Sequence, residues 1–466
     1  MDRLLAVAPV FALLVSACAA GPNYNRPPPA VAAAWQAPVP HGGDSGKLLA
    51  WWSGFDDPIL TSLQASAEKT SPSLDQAIAN IDKARATLTT QRAAALPNLT
   101  GSTSRTKSRQ ESAAGGATIS KVSQAALDAS WEIDLFGKAR RNVEAARARI
   151  EARTDDWHEA RISLAAEVAD DYVQLRGCEQ LAEVLRQATE SQETSARLIR
   201  LNADAGFSPA SDAALADASA ASTRSSFTDQ RGQCDLLVKS LASLTGLEEP
   251  ALRTLMQPSA GVLPAPRKLD VTSVPADLVR QRPDVASSER ELAATSAEIG
   301  AAVADLYPSL TLSGSISTSA GLQQWSFGPS LSLPIFDGGQ RLASVRSARA
   351  SYAYQLAAYR QAVRDAVLDV EQALVQLNVA RQQQGDAETA ARGYQASFKA
   401  TDQLYRAGAS DLLDRESARR NALDAEQSLI NVRLTEIRQW IALYKALGGG
   451  WDASNTALAA TGDHQP

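Results

Sequence analysis

Leu127-Asp128-Ala129-Ser130-Trp131-Glu132-Ile133-Asp134-Leu135-Phe136, followed by Gly137 and a proline-free run from Lys138 to about Ala203, decides the fold. Leu127, Ala129, Trp131, Ile133 and Leu135 are apolar, and Asp128, Ser130, Glu132 and Asp134 lie between them. Period two specifies a strand with one apolar and one polar face. The run that follows has one interior glycine, Gly177. Read as a single helix of 66 residues, it would extend on the order of 100 Å at about 1.5 Å per residue.

The same passage returns later in the chain. Ile133-Asp134-Leu135-Phe136 recurs as Leu333-Pro334-Ile335-Phe336, 200 residues on, and Leu96-Pro97-Asn98-Leu99-Thr100 as Tyr307-Pro308-Ser309-Leu310-Thr311, 211 on. Ala205-Gly206 recurs as Ala407-Gly408, and Leu244-Thr245-Gly246 as Leu447-Gly448-Gly449. A chain built twice from one unit usually sets the units around an axis. In the second unit Thr311–Thr318 reads as one strand, and Phe327, Pro329, Leu331, Leu333 and Ile335 mark the next. The stretch joining the strands is about eleven residues longer in the first unit, which reads as an exposed loop. From Arg341 to about Arg406 a second long helix is expected. Its apolar positions run Leu342, Val345, Ala348, Tyr352, Leu356, Tyr359, Val363, Val367, Val370, Leu374 and Leu377, ten steps over 35 residues. A 3.5-residue period implies left-handed coiled-coil packing. Breaks at Gly206-Phe207-Ser208-Pro209 and Gly408-Ala409-Ser410 turn each long helix back into a shorter one ending near Gly246 and Gly448. Helices over 73–96 and 284–306 would complete the remaining length, and residues 246–275, with Pro250, Pro258, Pro264 and Pro266 before the closing Pro275, read as an irregular joint.

The N-terminus indicates the compartment. Arg3 precedes the apolar run Leu4–Val15 and then Ser16-Ala17-Cys18, too short for a membrane helix and ending in small residues like a secretory signal. Val15-Ser16-Ala17-Cys18 resembles a bacterial lipobox, which implies cleavage before Cys18 and its lipidation; an ordinary signal peptide with an incidental cysteine is the alternative. Ala19, rather than an aspartate, follows the cysteine, which favours the outer membrane. No later segment has the ~20 apolar residues of a membrane helix, so a further crossing must be made by strands. Alternation alone also fits a small water-soluble sheet; the anchor and the missing helix favour a membrane sheet. Four strands cannot close a barrel, so copies must share one: eight strands in a dimer or twelve in a trimer.

The organisation expected is a signal peptide at 1–17, a tether at 18–50, repeats at 51–260 and 261–450, and a polar tail at 451–466. The class is mainly α: long coiled-coil hairpins forming an α-barrel, with four strands per chain in a shared β-barrel. A net charge of −6 with mixed signs argues against nucleic-acid binding. His41, His158 and His464 are scattered without metal-ligand spacing, Gly448-Gly449-Gly450 is a helix stop, and no nucleophile–base set is visible. Neither enzyme activity, nor a cofactor, nor a metal is expected.

Both hairpin turns carry Gly-x5-Asp spacing, Gly206 to Asp212 and Gly408 to Asp414. Glycine permits the backbone that ends one helix, and aspartate can serve the first turn of the next. Cys178 lies 28 residues before Gly206 and Cys234 lies 28 after it. In an antiparallel hairpin they face each other, and an oxidising periplasm makes a disulfide the expectation over two buried thiols.

Gly21-Pro22-Asn23-Tyr24, Trp52 with Phe55-Asp56-Asp57-Pro58, Arg282-Pro283-Asp284-Val285 with Glu289-Arg290, Ile299-Gly300 and Pro334-Ile335-Phe336-Asp337-Gly338-Gly339 complete the pattern. In this order, with the duplication, the chain resembles the TolC-like outer-membrane efflux proteins in their lipoprotein (NodT-type) branch. The resemblance implies a homotrimer with a twelve-stranded barrel and a periplasmic tunnel. It also implies a periplasmic adaptor and an inner-membrane transporter as partners, outer-membrane lipid as surroundings, and export of drugs or other small molecules. It assigns Tyr405, Asp212 and Asp414 to a constriction at the periplasmic tips; where the family often has a further aspartate, this chain has Ser417. A channel for type I protein secretion and a coiled-coil surface lipoprotein without a channel are the alternatives.

Overall fold

The computed structural model describes residues 19–28, 52, 54–111, 117–264, 282–319 and 321–449. Cys18, most of the tether, His41, His464 and the tail 451–466 lie outside them. The described chain forms helices α1 (Pro58–Thr70) and α2 (Pro72–Ala93), strands β1 (Asn98–Glu111) and β2 (Ala117–Ile133), and helices α3 (Lys138–Asp204), α4 (Ala210–Thr245) and α5 (Glu249–Met256). After the second joint come α6 (Pro283–Ala304), β3 (Ser309–Ser319), β4 (Leu322–Ser332), α7 (Gln340–Arg406) and α8 (Leu412–Ala446). The two long helices, α3 and α7, have 67 residues each. No described helix is long and apolar enough to cross a membrane.

The chain divides into two compact units. The first holds residues up to 29, 77–156 and 284–362. In it, β1 to β4 form one antiparallel sheet in sequence order, so the strand pairs of the two repeats are joined through β2 and β3. The register is continuous and sorts side chains by parity. On one face Leu99 and Gly101 of β1 align with Ala129 and Leu127 of β2, which align with Gly314 and Ile316 of β3, opposite Phe327 and Trp325 of β4. Trp131 opposes Leu312, itself opposite Pro329. The other face carries Thr100, Asp128, Ser315 and Ser326 in one row and Asn98, Ser130, Ser313 and Gly328 in the next. Gly314 makes room for its partner's ring: a Cβ there would lie 2.4 Å from Phe327 Cδ1. Trp325 is 74% exposed, Phe327 64% and Leu331 67%. So large an uncovered apolar face requires an apolar neighbour.

Two expectations are corrected here. The extra residues between the first pair of strands are not a loop: β1 has 14 residues and β2 17, against 11 in each of β3 and β4. Cross-strand hydrogen bonds continue through the added residues, so the insertion lengthens a hairpin. At the other end β4 stops at Ser332, before Leu333 and Ile335, because Pro334 has no N–H for the ladder.

The second unit comprises residues 30–76, 157–283 and 363–466. Its core gathers Leu60, Leu63 and Ala67 of α1, Val168 to Leu175 of α3, Val238 and Leu241 of α4, and Leu252 and Met256 of α5. Val370 to Leu377 of α7, Ile437 to Ala446 of α8 and the following Leu447 complete it. Fully burying each such leucine contributes roughly 1.5–3 kcal/mol. Gly177 marks a tight crossing of α3 on α8, since a Cβ would meet Leu434 Cδ2 at 2.9 Å. The joint after Gly246 is partly regular: Pro250 occupies the first turn of α5, where its missing N–H costs nothing. Arg176, fully buried, donates to Met256 O at 2.6 Å and Ser259 Oγ at 2.7 Å. Asp57 caps α1, accepting from Ile59 and Leu60, and also accepts from Tyr172 Oη at 2.6 Å. Every position of the 3.5-period stripe on α7 except Leu342 is buried or half-buried.

Cys178 of α3 and Cys234 of α4 are joined, with Cα atoms 5.6 Å apart. Closing 56 residues limits the disulfide's contribution to about 4 kcal/mol by loop entropy. Denatured wild-type protein is expected to release two additional thiols only after reductant. C178S/C234S should lose up to that stability and increase proteolysis of the α3–α4 hairpin. Equal thiol titres with and without reductant would refute the bond.

Candidate functional site: the hairpin tips and the N-terminal clamp

The tips belong to the second unit. At the first, Gly206 has φ +78°, its N–H donates to Ala203 O at 3.0 Å and the Phe207 N–H to Asn202 O at 2.8 Å. At the second, Gly408 has φ +75°, its N–H donates to Tyr405 O at 3.0 Å and the Ala409 N–H to Leu404 O at 2.8 Å. Both are the same glycine-ended helix stop, with two orphan carbonyls satisfied. The returning helices begin differently. Pro209 precedes α4 without a side-chain cap, whereas Asp411 caps α8 by accepting from Asp414 N–H at 2.7 Å. Asp212 and Asp414 occupy the first turns, where the helix dipole favours a negative charge. Phe207 is 83% exposed and Leu413 58%, leaving apolar groups on each tip.

Above the turns lies a polar network that sequence reading missed. Arg415, Glu416 and Arg419 of α8 are all buried. Arg415 Nε donates to Asp402 Oδ1 at 2.7 Å and its Nη1 to Glu416 Oε1 at 2.9 Å. Gln192 of α3 donates to Glu416 Oε2 at 2.5 Å and accepts from Arg419 Nη1 at 2.5 Å. The Arg415 guanidinium lies 5.3 Å from the centre of the Tyr405 ring. Tyr405 also packs beside Ala196, Ile199, Ala216, Ala220 and Leu412. Of the expected tip residues, the structure therefore ties Tyr405 into a bridge between the two hairpins. Asp212 and Asp414 stand outside that network, and Ser417 is half-buried on α8. Burial lowers the Arg419 pKa from its ordinary value, and the neighbouring Arg415 pushes the same way against Glu416 and Asp402. The only sequence trace was the spacing of Asp402, Tyr405, Arg415 and Arg419, which looks like ordinary solvated helix charge.

The second assembly lies in the first unit and unites several of the singled-out motifs. Gly21, at φ +87°, approaches Gly300 of α6 so closely that a Cβ would sit 2.4 Å from Gly300 Cα. Arg141 of α3 donates to Ala20 O at 3.2 Å and Asn23 Oδ1 at 2.9 Å, and the Ala20 N–H to Phe136 O at 2.9 Å. Tyr24 donates to the buried Glu289, which also pairs with Arg290 at 3.0 Å and Arg26 at 3.6 Å. Phe136 stacks on Tyr307 at 4.6 Å. A Cβ on Gly137 would meet Ala19 Cα at 3.0 Å, so the residue after Cys18 lies at the foot of the sheet. Nearby, Asp155 is pushed up to about 7, first by burial and then by Asp156, Glu151 and Glu289, against the opposing pull of Arg290.

Comparison with known proteins agrees with this architecture. The family profile described as "Outer membrane efflux protein" matches residues 63–247 and 274–449. Nodulation protein T of Rhizobium leguminosarum bv. trifolii is 33% identical over 464 residues, covering 95% of this chain and 97% of that protein. Outer membrane protein OprJ of Pseudomonas aeruginosa is 30% identical over 468 residues, covering 97% of each. Among solved structures, the outer-membrane channel OprN superposes with a TM-score of 0.82 at 30% identity, over 93% of this chain and all of that one.

Two outcomes test these geometries. Glu416→Ala removes the acid that pairs with buried Arg415 and, through Gln192, supports buried Arg419, and should cost about 3 kcal/mol; hydrogen exchange in the first turns of α8 should rise, whereas Glu416→Gln should lose less. Asp155 has a raised folded-state pKa, so its ionisation opposes folding above about pH 7 and that penalty shrinks as pH falls toward the unfolded value. Asp155→Asn should therefore raise the melting temperature more at pH 8 than at pH 5.

Proposed function

Because the chain belongs to the outer membrane efflux protein family, we propose that it forms the outer-membrane exit channel of a tripartite pump. In this reading it carries small molecules from a periplasmic adaptor and an inner-membrane transporter to the outside. The observation that carries the reading is the four-stranded sheet: one face apolar and uncovered, the other polar, and both edge strands unpaired among the described residues. In lipid such edges must be paired by other copies, and three chains give twelve strands, enough to surround an aqueous lumen. Asp128 and Glu132 share the polar face, which would line that lumen with negative charge and favour cations.

The hairpin tips serve as the periplasmic entrance. Exposed Phe207 and Leu413 suit docking of the adaptor, and the hydrogen bonds of Gln192 with Glu416 and Arg419, beside Tyr405, suit a constriction that opens when the two hairpins separate. Asp212 and Asp414, three copies each, would add negative potential at the same level. Lipidation of Cys18 is supported by the clamp, which holds Ala19 against Gly137 where the strands give way to helix. Acyl chains on residue 18 would enter the inner leaflet of the outer membrane there. The cysteine pair in the α3–α4 hairpin fits an oxidising periplasm.

Planar-bilayer recording of the purified oligomer tests the channel reading. Low cation-preferring conductance is expected from the wild type, rising severalfold for Tyr405→Ala and for Arg415→Ala. Absence of conductance in all three would favour the stalk lipoprotein; an open wild type unaffected by either change would remove Tyr405 from the gate.

A further inference from the structure

Apart from Glu111 at the end of β1, the sheet segregates its charges by sign. All of its cations, Arg105, Lys107, Arg109 and Lys121, lie at odd positions of the β1–β2 hairpin, the parity of Leu127, Trp131 and the rest of the apolar face. The acids Asp128 and Glu132 lie on the opposite face, and β3 and β4 contain no charged residue. The even positions beside the cations are Ser104, Thr106, Ser108, Gln110, Thr118, Ser120, Val122 and Gln124, uncharged throughout. The extra length of the first hairpin thus projects cations from the lipid-facing side alone.

Their height is informative. Lys121 is ten residues from Trp131 on β2. At about 3.3 Å per residue and a tilt of roughly 35–45°, that separation is about 23–27 Å across the membrane. This matches the ~25 Å apolar band of outer-membrane barrels, so with Trp131 at the inner boundary Lys121 and its neighbours stand at the outer one. Lys107 is directly opposite Lys121 in the register. Like charges so placed are destabilising. Arg109 pairs with Glu111 at 3.1 Å, but no carboxylate among the described residues pairs with Arg105, Lys107 or Lys121, and all are exposed.

We propose that the outward face of the extended β1–β2 hairpin, Arg105, Lys107, Arg109 and Lys121, is a binding surface for the phosphate groups of the outer leaflet's phosphorylated glycolipid, lipopolysaccharide. A phosphate seated between Lys107 and Lys121 converts their repulsion into two charge-assisted contacts. The net charge of this patch, four cations against Glu111, matches an anionic lipid surface and not the uncharged hydrocarbon below it. The surface rests on the outer-membrane placement of the sheet, and not on what the channel carries.

The test is a titration of the full-length oligomer, in uncharged detergent, with lipopolysaccharide, dephosphorylated lipopolysaccharide and phosphatidylglycerol. The wild type is compared with R105Q/K107Q/K121Q. Wild-type affinity for lipopolysaccharide should exceed the variant's by at least about tenfold, weaken with salt, and fall to the variant's level for the dephosphorylated lipid. R105K/K121R should bind as wild type. Equal binding by wild type and variant would overturn the proposal, as would equal binding of intact and dephosphorylated lipid. Tighter binding of phosphatidylglycerol than of lipopolysaccharide would overturn it too, by assigning the cations to a general anionic surface. If the triple variant fails to assemble, K121Q alone is titrated, with a loss of about fivefold expected and none contradicting the proposal.

Discussion

An unpaired strand edge cannot stand in lipid, and among the described residues the sheet of this protein has two. Each backbone N–H and C=O left without a partner in hydrocarbon costs several kcal/mol, and a row of them along β1 and β4 is untenable for a lone chain. The remaining features follow from that requirement. The outward side chains are apolar because they meet lipid, and the inward ones polar because closure encloses water. The chain is duplicated because a unit that repeats around an axis can supply each edge with the edge it lacks. The β2–β3 pairing inside one chain already joins the end of one repeat to the start of the next.

The same logic reads the helices. Each strand pair leads into a 67-residue helix, α3 or α7, and each of those ends in the same two hydrogen bonds around a left-handed glycine. At the turns the repeats diverge after the stop. The first continues from Pro209 into a hairpin closed by the cysteines. The second continues from Asp411 into the buried Arg415–Glu416–Arg419 network. The first hairpin is covalently tied 28 residues from its turn, whereas the network beside the second turn is built of hydrogen-bonded charges and reaches α3 through Gln192.

Much of this was legible in the residues. Strict alternation from Leu127 to Leu135 and the absence of proline after Lys138 are local signals, and local signals survive folding. β1 gave only a weak signal because its outward positions beyond Gly101 carry Thr103, Arg105, Lys107 and Arg109 instead of apolar groups, so its alternation has no hydrophobic contrast. The joint helix α5 was hidden by Pro250, a breaker inside a helix and harmless in its first turn. The tip network was hidden because the burial of Arg415 and Arg419 depends on Gln192, more than 220 residues away in sequence. The Gly21–Gly300 and Tyr24–Glu289 contacts likewise give motif residues a role, anchoring the N-terminal segment, that no spacing within either motif could reveal.

The central claim is that other copies of this chain cover β1 and β4 in the register the chain uses internally. Ser130 of β2 pairs with Ser313 of β3. Carried across the 200- and 211-residue repeat offsets, that pair becomes Ser330 of one copy against Ser102 of the next. Disulfide cross-linking of S102C/S330C in outer membranes measures this directly. The account predicts covalent dimers and trimers on non-reducing gels, with no such ladder from the displaced pair S104C/S330C. A monomer-only pattern from S102C/S330C, in protein that assembles normally, would contradict it.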